Sequence, residues 1–197
     1  MKKQETIFAV YKQLNLQKLS KALERHQVDE QVIPLLQSIN NDERYVTTSS
    51  CAGRIVVLEV PILGDKKQAV FHGCWHQSPS FLELKQALEK YSTGQLWFLA
   101  QPPIFHIGVV DLESANILLK TGILSGFKNS GVKTLKKHIV VELLSTERLD
   151  MPLGEKGVIY YDDSYLHFLL QTAEMVVERS KEKLDRLRTS MNIVLKK

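Results

Sequence analysis

The chain has 197 residues, a formal net charge of +4 and 44% hydrophobic residues. This length fits one large domain or two small ones, and the composition excludes an intrinsically disordered chain. No apolar run reaches the roughly 18 residues of a membrane-spanning helix. Two cysteines are too few for a disulfide framework, so we expect a cytoplasmic protein without a membrane anchor.

Apolar spacing predicts helices at both ends of the chain and strands between them. The region 4–40 is predicted to be helical, because Ile7, Val10 and Leu14 recur at helical spacing. The β-branched run 54–61 and the segment 68–76 form a predicted hairpin around a turn at 64–67. The later predicted elements are a helix at 80–91, strands at 95–100 and 104–110, a helix at 112–121 ending at Gly122, a strand at 138–144, a turn at 152–154, a strand at 157–161 and a helix over 163–194.

This order of elements does not follow a regular βαβ alternation. We therefore predict an α+β fold, with residues 1–197 as a single domain in which a central mixed β-sheet is flanked by helices and a long C-terminal helix. No GxGxxG motif opens a helix after a strand, and no GxxxxGK[ST] motif occurs. A Rossmann nucleotide site and a P-loop are therefore not expected.

One segment of the chain is basic and contains no acid. Between Ser114 and Val141 there are five lysines and no acid. Such a segment attracts a polyanion such as a nucleic acid, although a solvated basic loop has the same composition.

The stretch TTSSCAGR (47–54) combines four hydroxyl residues with a thiol, a glycine and a guanidinium. Cys51 is compatible with three roles: a nucleophile, a metal ligand or a small residue in a ligand-binding turn. A catalytic cysteine needs a base within reach, and the neighbouring hydroxyls do not activate a thiol. Small residues that end in Gly53 and Arg54 favour a tight turn whose free backbone N–H groups bind a ligand.

The stretch FHGCWHQ (71–77) contains two histidines and a cysteine. On a strand, His72, Cys74 and His76 share one face but spread over roughly 13 Å, so one metal ion can hardly bind all three. We therefore expect no metal site. Trp75 and His76 fit better as a stacking platform and a polar group that lines a pocket.

The stretch GFKNSG (126–131) is predicted to be a loop. Two glycines bracket an aromatic, a cation, an amide and a hydroxyl, so the loop can wrap closely around a ligand. Phe127 is suited to stacking on a base, and Lys128 to holding phosphates. An ordinary glycine-rich surface turn would have the same composition.

Together these stretches resemble the family called tRNA wybutosine-synthesizing protein 3. The segment 45–55 (YVTTSSCAGRI) resembles its TTSSCSGRI signature, and 126–131 its GFKNSG or GFRNSG loop. The resemblance covers about residues 5–188. Further similar motifs follow in the family's order: Trp75-His76, Pro102 with His106, and 150–153 (DMPL) followed by Tyr165-Leu166. Gln101 and Leu144 differ from the family pattern, which has Glu and Arg at these positions.

The resemblance implies an S-adenosylmethionine-dependent N-methyltransferase of wybutosine biosynthesis. Its substrate would be the tricyclic wyosine-type guanosine derivative 3′ of the anticodon in tRNA-Phe. It would bind the anticodon stem-loop as a monomer or a weak dimer. Because Gln101 and Leu144 depart from the pattern, a tRNA-binding family member without methyltransferase activity is one alternative. A thiol enzyme that depends on Cys51 is another.

The resemblance also suggests a role for each candidate residue. A sulfonium methyl is already activated, so the enzyme must align the acceptor nitrogen and remove a proton. The hydroxyl-rich turn and Arg54 suit the donor's carboxylate or a backbone phosphate. The predicted site comprises His76 and His106 as proton acceptors; Ser49, Ser50, Cys51, Gly53 and Arg54 as donor-binding residues; and Trp75, Phe127, Lys128, Asn129, Ser130, Lys133 and Lys136 as tRNA-binding residues.

Overall fold

The computed structural model describes residues 2–62 and 67–195, without the side chains of residues 2–5. Most of the predicted turn at 64–67 therefore lies outside the described residues. In chain order the elements are α1 (Lys2–Glu24), a 3-10 turn (Glu30–Val32), α2 (Ile33–Asn41), β1 (Tyr45–Cys51), β2 (Arg54–Val60), β3 (Val70–Trp75), α3 (Phe81–Leu88), β4 (Gln95–Gln101), β5 (Ile104–Val109), α4 (Leu112–Leu124), β6 (Gly131–Thr134), β7 (Ile139–Leu144), β8 (Leu149–Glu155), β9 (Val158–Ile159) and α5 (Asp163–Val194).

The chain forms two compact units. The first comprises Met1–Ala52, Pro103–Thr146 and Lys181–Lys197, and the second comprises Gly53–Pro102 and Glu147–Ser180. Helix α5 contributes residues to both units. Although it is long, α5 is too polar to cross a membrane, and no other helix within 2–62 and 67–195 qualifies. That residues 1–197 form a single domain stays a prediction.

The first unit contains a four-stranded sheet in the order β1-β5-β7-β6, in which every neighbouring pair is antiparallel. One face of this sheet packs on an apolar core that also takes side chains from α2, α4 and the last turns of α5. Because side chains alternate across a strand, Phe105 and Ile107 enter this core while His106 lies on the opposite face. This opposite face, which we call the outer face, carries the polar side chain of His106 and is partly covered by α1, since a Cβ at Gly108 would lie 2.6 Å from the ring of Tyr11.

The second unit contains a five-stranded antiparallel sheet in the order β3-β2-β4-β8-β9. Its core combines apolar residues of β2 and β4, such as Ile55 and Phe98, with residues of α3 and the first half of α5. The predicted α+β, non-Rossmann fold and the long C-terminal helix are confirmed. The predicted central mixed sheet is wrong, because the described strands form two separate sheets, both antiparallel.

Two predicted turns are strands. The stretch 47–51 lies in β1 and pairs with β5, so its backbone N–H groups are not the free cradle that the sequence suggested. Strand β1 ends at Cys51, and Gly53, between β1 and β2, has φ 93°. The stretch 152–154 lies in β8, and Pro152 is accommodated beside an irregularity in the pairing with β4.

Helix α4 is longer than predicted. It continues past Gly122 to Leu124, and the glycine with positive φ after its end is Gly126, at 102°. Gly122 instead allows close packing, because a Cβ there would lie 2.7 Å from Leu143 Cδ2.

Glu59 on β2 is a buried carboxylate with several partners in the second unit. Its Oε2 lies 2.7 Å from His72 Nε2. Its Oε1 accepts hydrogen bonds from the backbone N–H of Thr93 at 3.1 Å, the hydroxyl of Thr93 at 2.9 Å and the N–H of Gly94 at 2.9 Å. Glu59 thereby joins β2 to β3 and to the turn that precedes β4.

Replacing Gly154 with alanine is expected to lower the free energy of unfolding by about 2 kcal/mol, because overpacking a close approach strains the structure. A Cβ at Gly154 would lie 2.0 Å from the backbone oxygen of Val158, which cannot move aside as a side chain can. The matched control is Gly131→Ala, where nothing lies within 4 Å of the added Cβ. Thermal unfolding followed by circular dichroism should show a lower Tm for Gly154→Ala alone. Equal Tm values would contradict this account of β8.

Candidate functional site

Four polar side chains form a continuous hydrogen-bonded row on the outer face of the first sheet. Ser49 Oγ lies 2.8 Å from His106 Nδ1, and His106 Nε2 lies 2.8 Å from Glu142 Oε2. Lys133 Nζ lies 3.1 Å from Glu142 Oε1 and 3.0 Å from its Oε2. We call Ser49, His106, Glu142 and Lys133 the polar row. It crosses all four strands of the sheet.

A bulge in β1 brings Ser49 into this row. Thr47 pairs with Ile107, but the next residue to pair is Ser49, which stands opposite His106. The extra residue is Thr48, whose hydroxyl donates to the backbone oxygen of His106 at 3.1 Å. Without the bulge Thr48 would face His106, because a one-residue shift moves a side chain to the other face.

Glu142 is largely shielded from solvent, with 15% of its side chain exposed. Burial raises the pKa of Glu142, but hydrogen bonds from Lys133 and His106, together with their charges, outweigh it and leave the pKa below its ordinary value. Glu142 is therefore ionised at neutral pH.

A cavity of about 250 Å³ adjoins the row. It is smaller than the roughly 300–1,000 Å³ typical of sites for whole drug-sized ligands, so its size suits part of a ligand. The hydroxyls and the Lys18 ammonium in its wall are donors that fit a carboxylate or a phosphate. The lining residues are Thr47, Thr48, Ser49 and Ser50 of β1; Asn15, Lys18, Leu19 and Ala22 of α1; and Gln27 and Val28.

The GFKNSG stretch is a loop, as predicted, but its aromatic residue is buried. Phe127 is 0% exposed, and its ring lies 6.1 Å from that of Phe105 in the core. The prediction that Phe127 stacks on an RNA base is therefore wrong. Lys128 and Asn129 are the exposed side chains of the loop.

Backbone contacts with Leu144 at the end of β7 hold this loop. The N–H of Asn129 donates to the Leu144 oxygen at 3.2 Å, and the N–H of Leu144 donates to the Ser130 hydroxyl at 3.0 Å. Ser130 also donates to the Phe127 oxygen. Ser130 thus has a structural role in the loop. Position 144 acts here through its backbone, so a leucine suffices to hold the loop.

In the second unit, Arg54 at the start of β2 has two neighbours. Its Nε donates to Gln101 Oε1 at 2.9 Å, and its guanidinium lies 5.9 Å from the centre of the Phe71 ring. Arg54 and Gln101 are register partners in the β2–β4 pair. Because glutamine carries no charge, this contact orients the guanidinium without neutralising it.

His76 and Trp75 follow at the end of β3. His76 Nδ1 lies 3.2 Å from the Gly53 oxygen. The ring of Trp75 lies over Gly73, where a Cβ would be 1.9 Å from ring atom Cη2, and it packs partly on the core. His72 is bound to Glu59. Among the described residues no group of three or more His, Cys, Asp or Glu is arranged to hold a metal ion.

The structure thus brings some of the predicted residues into contact. In the first unit Ser49 contacts His106, and in the second Gly53 contacts His76. Sequence reasoning missed Glu142. A signal was present, since Glu142 is the only charged residue in the apolar run 138–144 if histidine is counted as neutral.

Comparisons with known proteins match nearly the whole chain. The family model described as Methyltransferase TYW3 matches residues 5–193. The tRNA(Phe) 7-((3-amino-3-carboxypropyl)-4-demethylwyosine(37)-N(4))-methyltransferase 1 of Pyrococcus horikoshii is 45% identical over 178 residues, which cover 90% of this chain and 91% of that protein. The protein of the same name from Thermococcus kodakarensis is 45% identical over 181 residues, 91% of each chain.

Solved structures agree with these matches. The structure of the PH1069 protein from Pyrococcus horikoshii has a TM-score of 0.91 and 43% identity, covering 95% of this chain and 97% of that one. A hypothetical protein from Aeropyrum pernix has a TM-score of 0.75 and 27% identity, covering 84% and 98%. The chain therefore belongs to the methyltransferase TYW3 family.

Proposed function

We propose that this protein is an S-adenosylmethionine-dependent N-methyltransferase that methylates the wyosine-type tricyclic guanosine derivative 3′ of the anticodon in tRNA-Phe. The observation that carries the proposal is 45% identity, over 90% of the chain, to a relative named for N(4)-methylation of 7-(3-amino-3-carboxypropyl)-4-demethylwyosine at position 37. We take that nucleoside as the acceptor. The protein acts in the cytoplasm, as a single-domain monomer or weak dimer.

For the methyl donor we propose contacts with the signature segment. When bound, S-adenosylmethionine supplies an activated methyl group. Hydroxyl donors near Lys18 in the cavity wall, and the guanidinium of Arg54, whose hydrogen-bond partner Gln101 is uncharged, both suit the donor's carboxylate. The proposed donor-binding residues are Ser49, Ser50, Cys51, Gly53 and Arg54.

For proton removal we propose His106, with His76 as the other candidate. Geometry favours His106, because the Glu142 carboxylate beside its Nε2 stabilises the charged imidazolium that forms when the ring takes a proton. His76 Nδ1 lies beside the backbone oxygen of Gly53. A carbonyl dipole stabilises an imidazolium less than a carboxylate does.

For tRNA binding we propose the exposed part of the basic segment. Lys128, Asn129 and Lys136 are exposed and suit contacts with phosphates of the anticodon stem-loop. Trp75, whose ring is half-buried, is proposed to stack on a base. Lys133 and Ser130 have partners within the protein, so any contact of theirs with tRNA is secondary.

Cys51→Ala is expected to keep kcat within about threefold of the wild type, because transfer from an activated donor needs no covalent enzyme intermediate and a thiol is a weak hydrogen-bonding group. His106, on the neighbouring strand β5, is hydrogen-bonded to Ser49. Single-turnover methylation of tRNA-Phe isolated without this methyl group measures the effect. Loss of turnover with intact donor binding would instead indicate a thiol nucleophile.

The proposed function is tested by calorimetric titration with S-adenosylmethionine, followed by methylation of hypomodified tRNA-Phe. Saturable binding and transfer are expected. Arg54→Ala should weaken the binding of S-adenosylmethionine and of S-adenosylhomocysteine by about tenfold each, because both molecules carry the amino-acid carboxylate. Methylthioadenosine lacks that carboxylate and should bind the wild type and Arg54→Ala with equal affinity.

The control variant is Arg188→Ala, which removes an exposed arginine of α5. It should leave all three affinities unchanged. Salt-dependent tRNA binding without donor binding, with or without tRNA present, would show that the chain is a tRNA-binding family member without methyltransferase activity.

A further inference from the structure

We infer that Glu142 and Lys133 are positioning residues that fix the ring hydrogen of His106 on Nε2, so that Nδ1 accepts the substrate proton through the hydroxyl of Ser49. This inference rests on the proposed methyl transfer and deepens it, since it assigns a proton path to the polar row. It also gives Lys133 a role other than binding tRNA phosphates.

The hydrogen-bonding capacity of each group determines the direction of the path. Ionised Glu142 can only accept hydrogen bonds, so His106 Nε2, 2.8 Å away, must donate. The neutral ring then has its lone pair on Nδ1, and the Ser49 hydroxyl at 2.8 Å donates to it. The oxygen of Ser49 is left with lone pairs that can accept a proton from a substrate.

The ionised carboxylate of the row is shielded from solvent, whereas the hydroxyl at the Ser49 end is open to it. Glu142 has 15% of its side chain exposed, whereas Ser49 is exposed and lines the 250 Å³ cavity. A salt bridge that served only for stability would not need the bulge that places Ser49, rather than Thr48, against His106.

Lys133 completes the row from β6. A second irregularity, between Val132 and Thr134, leaves Lys133 out of register, and its ammonium lies 3.0 Å from Glu142 Oε2. Lys133 stabilises the ionised carboxylate, and only the ionised carboxylate dictates which ring nitrogen carries the hydrogen. Two bulges in one sheet therefore serve the two ends of the same row.

The proton balance is simple. As the acceptor nitrogen forms its bond to the methyl carbon, the methyl–sulfur bond breaks and its electron pair stays on sulfur. The hydrogen that the methyl group replaces passes as a proton to Ser49 Oγ, and the Ser49 hydroxyl proton passes to His106 Nδ1. Ser49 ends neutral, and the imidazolium beside Glu142 later releases its proton to water.

The first test uses the protein without ligands. In long-range ¹H–¹⁵N spectra of histidine-labelled protein, recorded at alkaline pH, His106 should show the Nε2–H tautomer. His106→Gln identifies the signal. Glu142→Gln, which keeps the shape and removes the charge, should give a mixture of tautomers. An Nδ1–H tautomer in the wild type, or an unchanged spectrum in Glu142→Gln, would overturn the inference.

The second test separates kcat from KM in the methylation of hypomodified tRNA-Phe. Glu142→Gln should lower kcat by about 30-fold and Lys133→Gln by about fivefold, with little change in KM, since both act through the general base. Lys136→Gln removes one charge from the same segment but should only raise KM for tRNA. Glu89→Gln, an exposed residue at the end of α3, should change neither.

The two tests distinguish the failure of the inference from that of the proposed function. Absence of turnover in the wild type would overturn the proposed function, while the spectra would still decide whether Glu142 sets the tautomer. If Lys133→Gln behaved like Lys136→Gln, Lys133 would be an ordinary phosphate contact and its part in the inference would be wrong. Thermal unfolding of each variant confirms that it is folded.

Discussion

His106→Gln is expected to lower kcat for methyl transfer by about 1,000-fold, within the range that general acid–base groups contribute. Glutamine is close to histidine in size and can still hydrogen bond to Ser49 and Glu142, so the sheet should keep its geometry. It cannot take up a proton. The hydrogen displaced by the methyl group would then have no acceptor except water.

The matched comparison is His76→Gln, which should lower kcat by no more than about tenfold, because we propose that the proton passes to His106, beside the Glu142 carboxylate. Single-turnover methylation with saturating donor measures the chemical step. Calorimetry should show unchanged donor affinity for His106→Gln. If His76→Gln produced the larger loss of kcat, the proton acceptor would be His76 and the polar row would not be catalytic.

Local patterns in the sequence predicted most of the helices and several of the strands. The 3.6-residue periodicity over 163–194 predicted α5, and the β-branched run at 54–61 predicted β2. Strand β1 was missed because small residues that end in Gly53 and Arg54 suggest a turn, and its pairing with β5, more than 50 residues later, has no local signal. The division into two antiparallel sheets depends on the non-local pairs β1–β5, β5–β7, β2–β4 and β4–β8, and not on the local hairpins.

The candidate site was predicted in composition more than in arrangement. Ser49 and His106 were both predicted as site residues. Their contact depends on the bulge in β1, which no single residue of the sequence indicates. The prediction for Phe127 was wrong because an aromatic residue in a glycine-flanked loop is compatible both with stacking on a base and with burial in the core. Glu142 was missed because strand periodicity does not reveal which polar groups lie side by side in a sheet.

Replacing Glu59 with glutamine is expected to lower the free energy of unfolding by about 3 kcal/mol at neutral pH. Burial alone would raise the pKa of Glu59, but hydrogen bonds from Gly94, His72 and Thr93 lower it from 4.5 to about 2. A carboxylate whose pKa is lower in the folded state stabilises the fold while it is ionised. That stabilisation is fully present above pH 4.5 and is lost as the pH falls towards 2.

The difference in the free energy of unfolding between the wild type and Glu59→Gln should therefore become smaller at acidic pH. Protonated glutamate and glutamine have nearly the same shape and charge. Comparing the two proteins cancels the titration of other carboxylates. Trp75 and Trp97 both lie in the second unit with Glu59, so denaturant unfolding followed by tryptophan fluorescence reports on the right part of the chain. Glu89→Gln, at an exposed position, should match the wild type at every pH. If Glu59→Gln lowered the free energy of unfolding by the same amount from pH 7 to pH 2, the shape of the Glu59 side chain, and not its charge, would stabilise the turn that precedes β4.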